Sequence, residues 1–227
     1  MRIDELDSLR ATALVMMLIS NFVTDLNHFD LMQVTKGDPW WWLSRATAFL
    51  FVSISGFSYF LAHRKEHDFM QTFGRTKRLI FWAFVITMIT YIFEPNAYVR
   101  FGVLHLLALA SIIAFPVARK PQFAFFIGLV FLFVPLFSNP NLVWLGLRET
   151  GFFAVDYFPL NPWLGIFFIS LAVSSLIYPE GKPLTQIKWP DRWLWFGRNT
   201  LVIYVILQPM LIGLLLLSGQ ISMDRLI

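Results

Sequence analysis

Seven apolar runs divide the chain, and each is long enough, or nearly so, to cross a lipid bilayer. They fall at Leu9–Leu26, Leu43–Leu61, Leu79–Phe93, Val103–Val117, Phe123–Phe137, Trp163–Ile177 and Thr200–Leu217. A transmembrane helix needs about 20 apolar residues. The shorter runs therefore borrow flanking residues such as Trp82, Tyr91 or Pro121, or meet a locally thinner bilayer. Pro95, Pro121, Pro140, Pro179 and Pro190 stand just outside runs, where helices are expected to end, and Gly37–Pro39, Asn139–Asn141 and Pro179–Pro183 read as turns. The runs point to one all-α domain over residues 1–227, an integral membrane bundle of about seven transmembrane helices. Hydrophobic residues make up 57% of the chain and charged residues 14%. The corresponding values for a soluble domain are about 45–50% and about 25%.

The charges orient the bundle. If seven spans place alternate loops on opposite sides, the N-terminal side carries Arg2, Arg10, Arg64, Lys65, Arg75, Lys77, Arg78, Arg119, Lys120, Lys182, Lys188, Arg192 and Arg198. The other side carries Lys36, Arg100, Arg148 and Arg225, and Arg45 lies just inside the second span. Cytoplasmic loops concentrate Lys and Arg, so the N-terminus is expected in the cytoplasm. The segment Leu142–Tyr157 is then an outer loop, open to a re-entrant path. The net charge of +4 reflects this asymmetry and contact with anionic lipid, and no nucleic-acid partner is implied. Asp4, Glu5 and Asp7 precede the first run and no small-residue cleavage site follows it, so that run is expected to remain as a span. The chain has no cysteine, which excludes thiolate metal sites and a Cys nucleophile. No histidine pair has zinc-ligand spacing with a third ligand in support, so no metal site is expected. Gly-rich phosphate motifs and a Gly-x-Ser-x-Gly elbow are also absent.

Ionisable residues at membrane depth are costly and mark sites or pathways. Here they gather toward the outer end. Asn21, Asp25 and His28 are spaced four and three residues apart, on one face of the first helix if it extends that far. Arg45 enters the second span from the same side. Arg100 and His105 open the fourth span, and Asp156, Tyr157 and Trp163 lead into the sixth. Carboxylates, imidazoles, guanidinium groups and an amide at one level suit proton transfer and the binding of a polar, hydroxylated substrate. Helix caps, interfacial ion pairs and an aromatic belt are the structural alternative. His63 and His67, beside the basic segment Arg64–Arg78, are expected to be solvated. Arg10 stands at the cytoplasmic entrance of the first span, about 16 Å below Asn21 at 1.5 Å per residue. It either reaches to lipid phosphates or holds the phosphate or pantetheine end of a donor.

Several segments resemble a known family. Arg2-Ile-Asp-Glu-Leu-Asp7-Ser-Leu-Arg10 and Asp25-Leu-Asn-His-Phe29 are similar to the opening of the DUF1624 membrane proteins. That group is related to heparan-α-glucosaminide N-acetyltransferase. Arg100-Phe-Gly-Val-Leu-His105, Asp156-Tyr-Phe-Pro-Leu-Asn-Pro-Trp163 and Phe196-Gly-Arg-Asn-Thr-Leu-Val-Ile-Tyr204 resemble its later motifs, in order along nearly the whole chain. The resemblance implies a transmembrane acyltransferase that takes acetyl from cytoplasmic acetyl-CoA, or another acyl-CoA, and delivers it to a hydroxyl or amine on the far side. It implies Arg10 on the donor side, with Asn21 and Arg45 steadying the thioester oxyanion. His28 or His105 would be the general base, Asp25 or Asp156 would orient the imidazole, and Arg100, Tyr157 and Trp163 would line the acceptor site. The chain departs from the wider pattern at Asn21, where a histidine is usual. It departs again at Leu207, where His-Gln-Pro is usual, and at Ala11, which follows Arg10 in place of glycine. The heparan enzyme is similar in having asparagine there, with its histidine farther along, which by analogy points to His28. Expected partners are membrane lipids and a small-molecule, glycan or lipid acceptor, and a homo-oligomer is compatible with this reading. The localisation expected is a prokaryotic inner membrane. A non-catalytic carrier for a polar metabolite or lipid, or an accessory subunit, remains the alternative.

Overall fold

The computed structural model describes residues 3–65, 68–93, 95, 98–133, 139–147 and 156–219. Its helices are α1 (Asp4–His28), α2 (Pro39–His63), α3 (Phe69–Phe93), α4 (Val103–Ala114), α5 (Pro121–Phe133), α6 (Leu160–Ile177), α7 (Asp191–Arg198) and α8 (Thr200–Leu217). Two short 3-10 turns, Phe115–Val117 and Pro140–Leu145, join them. No extended strand forms among the described residues, so the chain is all-α. Every apolar run falls in a helix, except that residues 134–137 of the fifth lie outside the described residues. On length and composition α1, α2 and α6 can each cross a membrane, while Val103–Val117 and α5 are shorter apolar helices. Proline explains one of these limits: Pro116 has no N–H to donate, and α4 tightens into a 3-10 turn there.

Helices extend beyond their apolar runs. α1 starts at Asp4, five residues before Leu9, with Asp4, Glu5 and Asp7 in its first turn. Carboxylates there oppose the positive end of the helix dipole and satisfy a helix start. α3 starts at Phe69, so Arg75, Lys77 and Arg78 lie on its first turns and not in a loop. One helix is new: α7, two turns long, lies in what the apolar pattern leaves as a connection.

The chain divides into two compact units, one of Ser55–Lys182 and one of the described residues of 2–54 and 183–227. In the first, α5 packs along α6 and α3 along α4. The core is built of Phe167, Phe168, Leu164, Leu171 and Leu106, each fully buried. Helices in lipid gain little from hydrophobic exclusion and associate through close backbone approach. Gly128 and Gly165 supply it: a Cβ on either would lie 2.8–3.0 Å from the other's carbonyl oxygen. Gly56 lets the end of α2 meet α6, where a Cβ would stand 2.4 Å from Phe167 O. Tyr59 Oη donates to Ser111 O at 2.6 Å, satisfying one hydroxyl within the packed helices.

In the second unit α1 packs against α7 and α8. The tightest point is Gly197, where a Cβ would fall 1.8 Å from the Asp7 carbonyl oxygen. Only glycine fits between these two backbones.

Candidate active site

The second unit holds α1, which carries polar groups near both ends. Because α1 continues to His28, Asn21, Asp25 and His28 do share a helical face. Asp25 is buried at 5% exposure, and Asn21 and His28 are half-buried. Phe29 N–H donates to Asp25 O, closing the helix, and its ring meets His28 edge-on at 5.1 Å. Arg45 is exposed on α2, its guanidinium 5.4 Å from the Trp41 ring centre.

At the other end Arg10 belongs to a charge network. Asp7, 2% exposed, accepts from Arg10 through Oδ1 and from Arg198 Nε through Oδ2, the latter at 3.2 Å. Arg198 Nη2 also bonds Asp4 Oδ1 at 3.1 Å. A nearly dry carboxylate thus holds two guanidinium groups from different helices. Hydrogen bonding to Asp7 raises the pKa of Arg198, so its charge is fixed at any working pH. Reasoning from sequence put Arg10 at this end but missed Asp7 as its partner and Arg198 as the second cation on Asp7. The Asp7-Ser-Leu-Arg10 spacing of three was the available signal; the pairing with Arg198 is long-range and had none.

The first unit holds the second polar set. Phe101 and Tyr157 form an isolated parallel bridge, with Phe158 N–H donating to Phe101 O at 2.8 Å. This pairing delivers Asp156 to the start of α4, where its Oδ2 accepts from Val103 N–H at 3.1 Å. A carboxylate there satisfies a donor that the helix cannot. Gly102 is required for the approach, since a Cβ would lie 2.2 Å from that oxygen. His105 Nδ1 accepts from Gly102 N–H at 3.2 Å, and Nε2 faces Thr87 Oγ1 at 3.3 Å. Thr87 in turn donates to Val99 O. These partners assign the His105 proton to Nε2 and occupy both ring nitrogens. Asp156, expected to orient an imidazole, holds the Val103 N–H in the same first turn of α4 that carries His105. Tyr157 Oη donates to Val143 O at 2.7 Å, and Trp163 is buried against Phe158. Arg100 is exposed, 5.1 Å from the centre of the Tyr98 ring.

One expectation is corrected. His63 is not solvated: it is 4% exposed at the end of α2, with Nδ1 2.8 Å from Tyr59 O and Nε2 2.6 Å from Thr72 Oγ1. The start of α3 at Phe69 brings Thr72 over it and excludes water. His67, Arg2, Arg148 and Arg225 lie outside the described residues.

The geometry places Arg10 and a carboxylate–imidazole face on one helix of membrane-spanning length, with Arg198 of α7 brought to the Arg10 end by Asp7. The model of the heparan-α-glucosaminide N-acetyltransferase catalytic region matches residues 2–209, nearly the whole chain. The chain belongs to this family. It is an integral membrane protein of a transmembrane acetyltransferase family whose general donor is acetyl-CoA. No curated protein and no solved structure matches the chain. The family match includes every polar residue described above.

Proposed function

We propose that the protein transfers an acetyl or similar acyl group from cytoplasmic acyl-CoA to an extracytoplasmic hydroxyl or amine of a sugar, glycan or lipid, in a prokaryotic inner membrane with the N-terminus inside. The family match over residues 2–209 carries this reading. The layout of α1 supports it: Arg10 and His28 are separated by about 27 Å of helix rise at 1.5 Å per residue, close to the hydrocarbon thickness of about 30 Å. Arg10, steered by Asp7 and flanked by Arg198, binds donor phosphate or the polar pantetheine arm. The acceptor O–H or N–H attacks the thioester carbonyl as its proton passes to His28. The C–S bond breaks, and the coenzyme A thiolate recovers a proton on leaving. Asp25 orients the imidazole, and Asn21 and Arg45 donate to the oxyanion.

The test is donor binding. Acetyl-CoA should raise the melting temperature of the purified protein, and Arg10→Ala should abolish the shift. A hydrogen bond to a charged group contributes about 1.5–3 kcal/mol, so the affinity loss should be roughly tenfold to a hundredfold. Absence of any shift at millimolar acetyl-CoA would remove the donor from this reading. Slow hydrolysis of acetyl-CoA without acceptor would separate an enzyme from a carrier, which consumes no thioester.

A further inference from the structure

Within the second unit, the stretch Leu184–Arg198 is fastened to the first turns of α1. Glu5 accepts from Leu184 N–H at 2.9 Å and from both Thr185 N–H and its hydroxyl at 3.0 Å. Trp193 Nε1 donates to Ser8 Oγ at 3.0 Å. Gly197 closes on Asp7, and Arg198 bonds Asp7 and Asp4. These contacts consume one face of the segment, including buried Leu194. The other face is apolar and open: Leu184 is 63% exposed, Ile187 59%, Trp195 55% and Phe196 45%. Lys188 and Arg192 stand exposed among them.

In water such a row would be an adhesive liability. Its position argues for lipid. Asn199 alone separates α7 from α8, and α8 exposes Val202, Ile206, Met210 and Leu214 along its length, as a lipid-facing helix must. The segment is thus tied to two membrane helices at one end of each, at the depth where headgroups begin. Tryptophan is enriched at that depth, and cations beside it are drawn to anionic headgroups. Arg192 lies three and four residues before Trp195 and Phe196, on the same open face of α7, where a long cationic side chain reaches headgroups while neighbouring rings insert.

We propose that residues 184–196 form an interfacial anchor in the leaflet beside the N-terminal end of α1, with Ile187, Trp195 and Phe196 inserted and Lys188 and Arg192 on anionic headgroups. This is independent of the acyl-transfer reading. Because the chain lacks cysteine, Ile187→Cys, Trp195→Cys and, as a control in the α1–α2 connection, Lys36→Cys can each carry a single fluorophore. The full chain would be placed in phosphatidylcholine nanodiscs with and without phosphatidylglycerol. Labels at 187 and 195 should be quenched several-fold more than the label at 36 by a nitroxide lipid, and several-fold less by aqueous iodide. Equal iodide quenching at all three positions would overturn the proposal. So would protection from both quenchers at 187 and 195, which would mean that a protein or a second copy covers the face. Phosphatidylglycerol should deepen the label at 187, and Lys188→Gln with Arg192→Gln should cancel that lipid dependence. Persistence of the dependence in the double variant would remove the two cations from the anchor.

Discussion

An imidazole accepts a proton only through a ring nitrogen whose lone pair is not already engaged. His105 spends Nδ1 on Gly102 N–H and directs Nε2 to Thr87, so its removal should weaken the head of α4. His105→Ala is expected to cost about 1–3 kcal/mol, the range for leaving a buried donor unpaired, measured as a lower melting temperature. Transfer should fall only with the folded fraction. His28→Ala should instead lower transfer by about a hundredfold to ten-thousandfold, while acetyl-CoA still raises the melting temperature. Full transfer by His28→Ala would reassign the base. At this scale the sequence was informative where neighbours are local. Asn21, Asp25 and His28 could be placed on one face from spacing alone. The Asp156 cap and the burial of His63 could not, because Val103 lies 53 residues from Asp156 and the cover over His63 depends on where α3 starts.

Helices in lipid are held by how closely their backbones approach, and glycines such as Gly197 and Gly56 set that approach. A Cβ at Gly197 would meet Asp7 O at 1.8 Å and one at Gly56 would meet Phe167 O at 2.4 Å, both backbone atoms with little freedom to move, while Gly213 has nothing within 4 Å. Forcing extra carbon into packed contacts costs about 1–3 kcal/mol. Gly197→Ala and Gly56→Ala should therefore lower the melting temperature, with Gly213→Ala close to the parent. If the three variants melted alike, these contacts would not limit helix packing. Apolar length made the positions of all seven apolar helices readable, since a span must satisfy its backbone internally and stay apolar throughout. Their ends were less readable, because α1 begins with a charged turn and α3 carries Arg75, Lys77 and Arg78 ahead of its apolar run. α7 was missed because eight residues with charge at both ends give no apolar run.

For the whole molecule, the basic residues decide which way the helices thread, and the same sidedness decides where the donor enters. Exposed Met70, at the start of α3, and Gln186, in the stretch fastened to α1, belong by that reading to the cytoplasmic side; exposed Lys36 belongs to the other. An odd number of spans between Lys36 and Gln186 is needed to keep them apart, and the apolar helices α2 to α6 supply five. A further crossing within 142–157 would bring Gln186 to the outer side and carry Lys188, Arg192 and Arg198 with it, against the preference for basic residues inside. Cysteines placed singly at 70 and 186 should therefore react with an impermeant maleimide only after the membrane is opened, and a cysteine at 36 should react in intact cells. Labelling at 186 from outside, with 36 also outside, would add a span and put the membrane between Arg198 and Asp7, against the bond that joins them. Arg10 would then keep Asp7 but lose Arg198 beside it, and the donor-binding cluster would have to be redrawn.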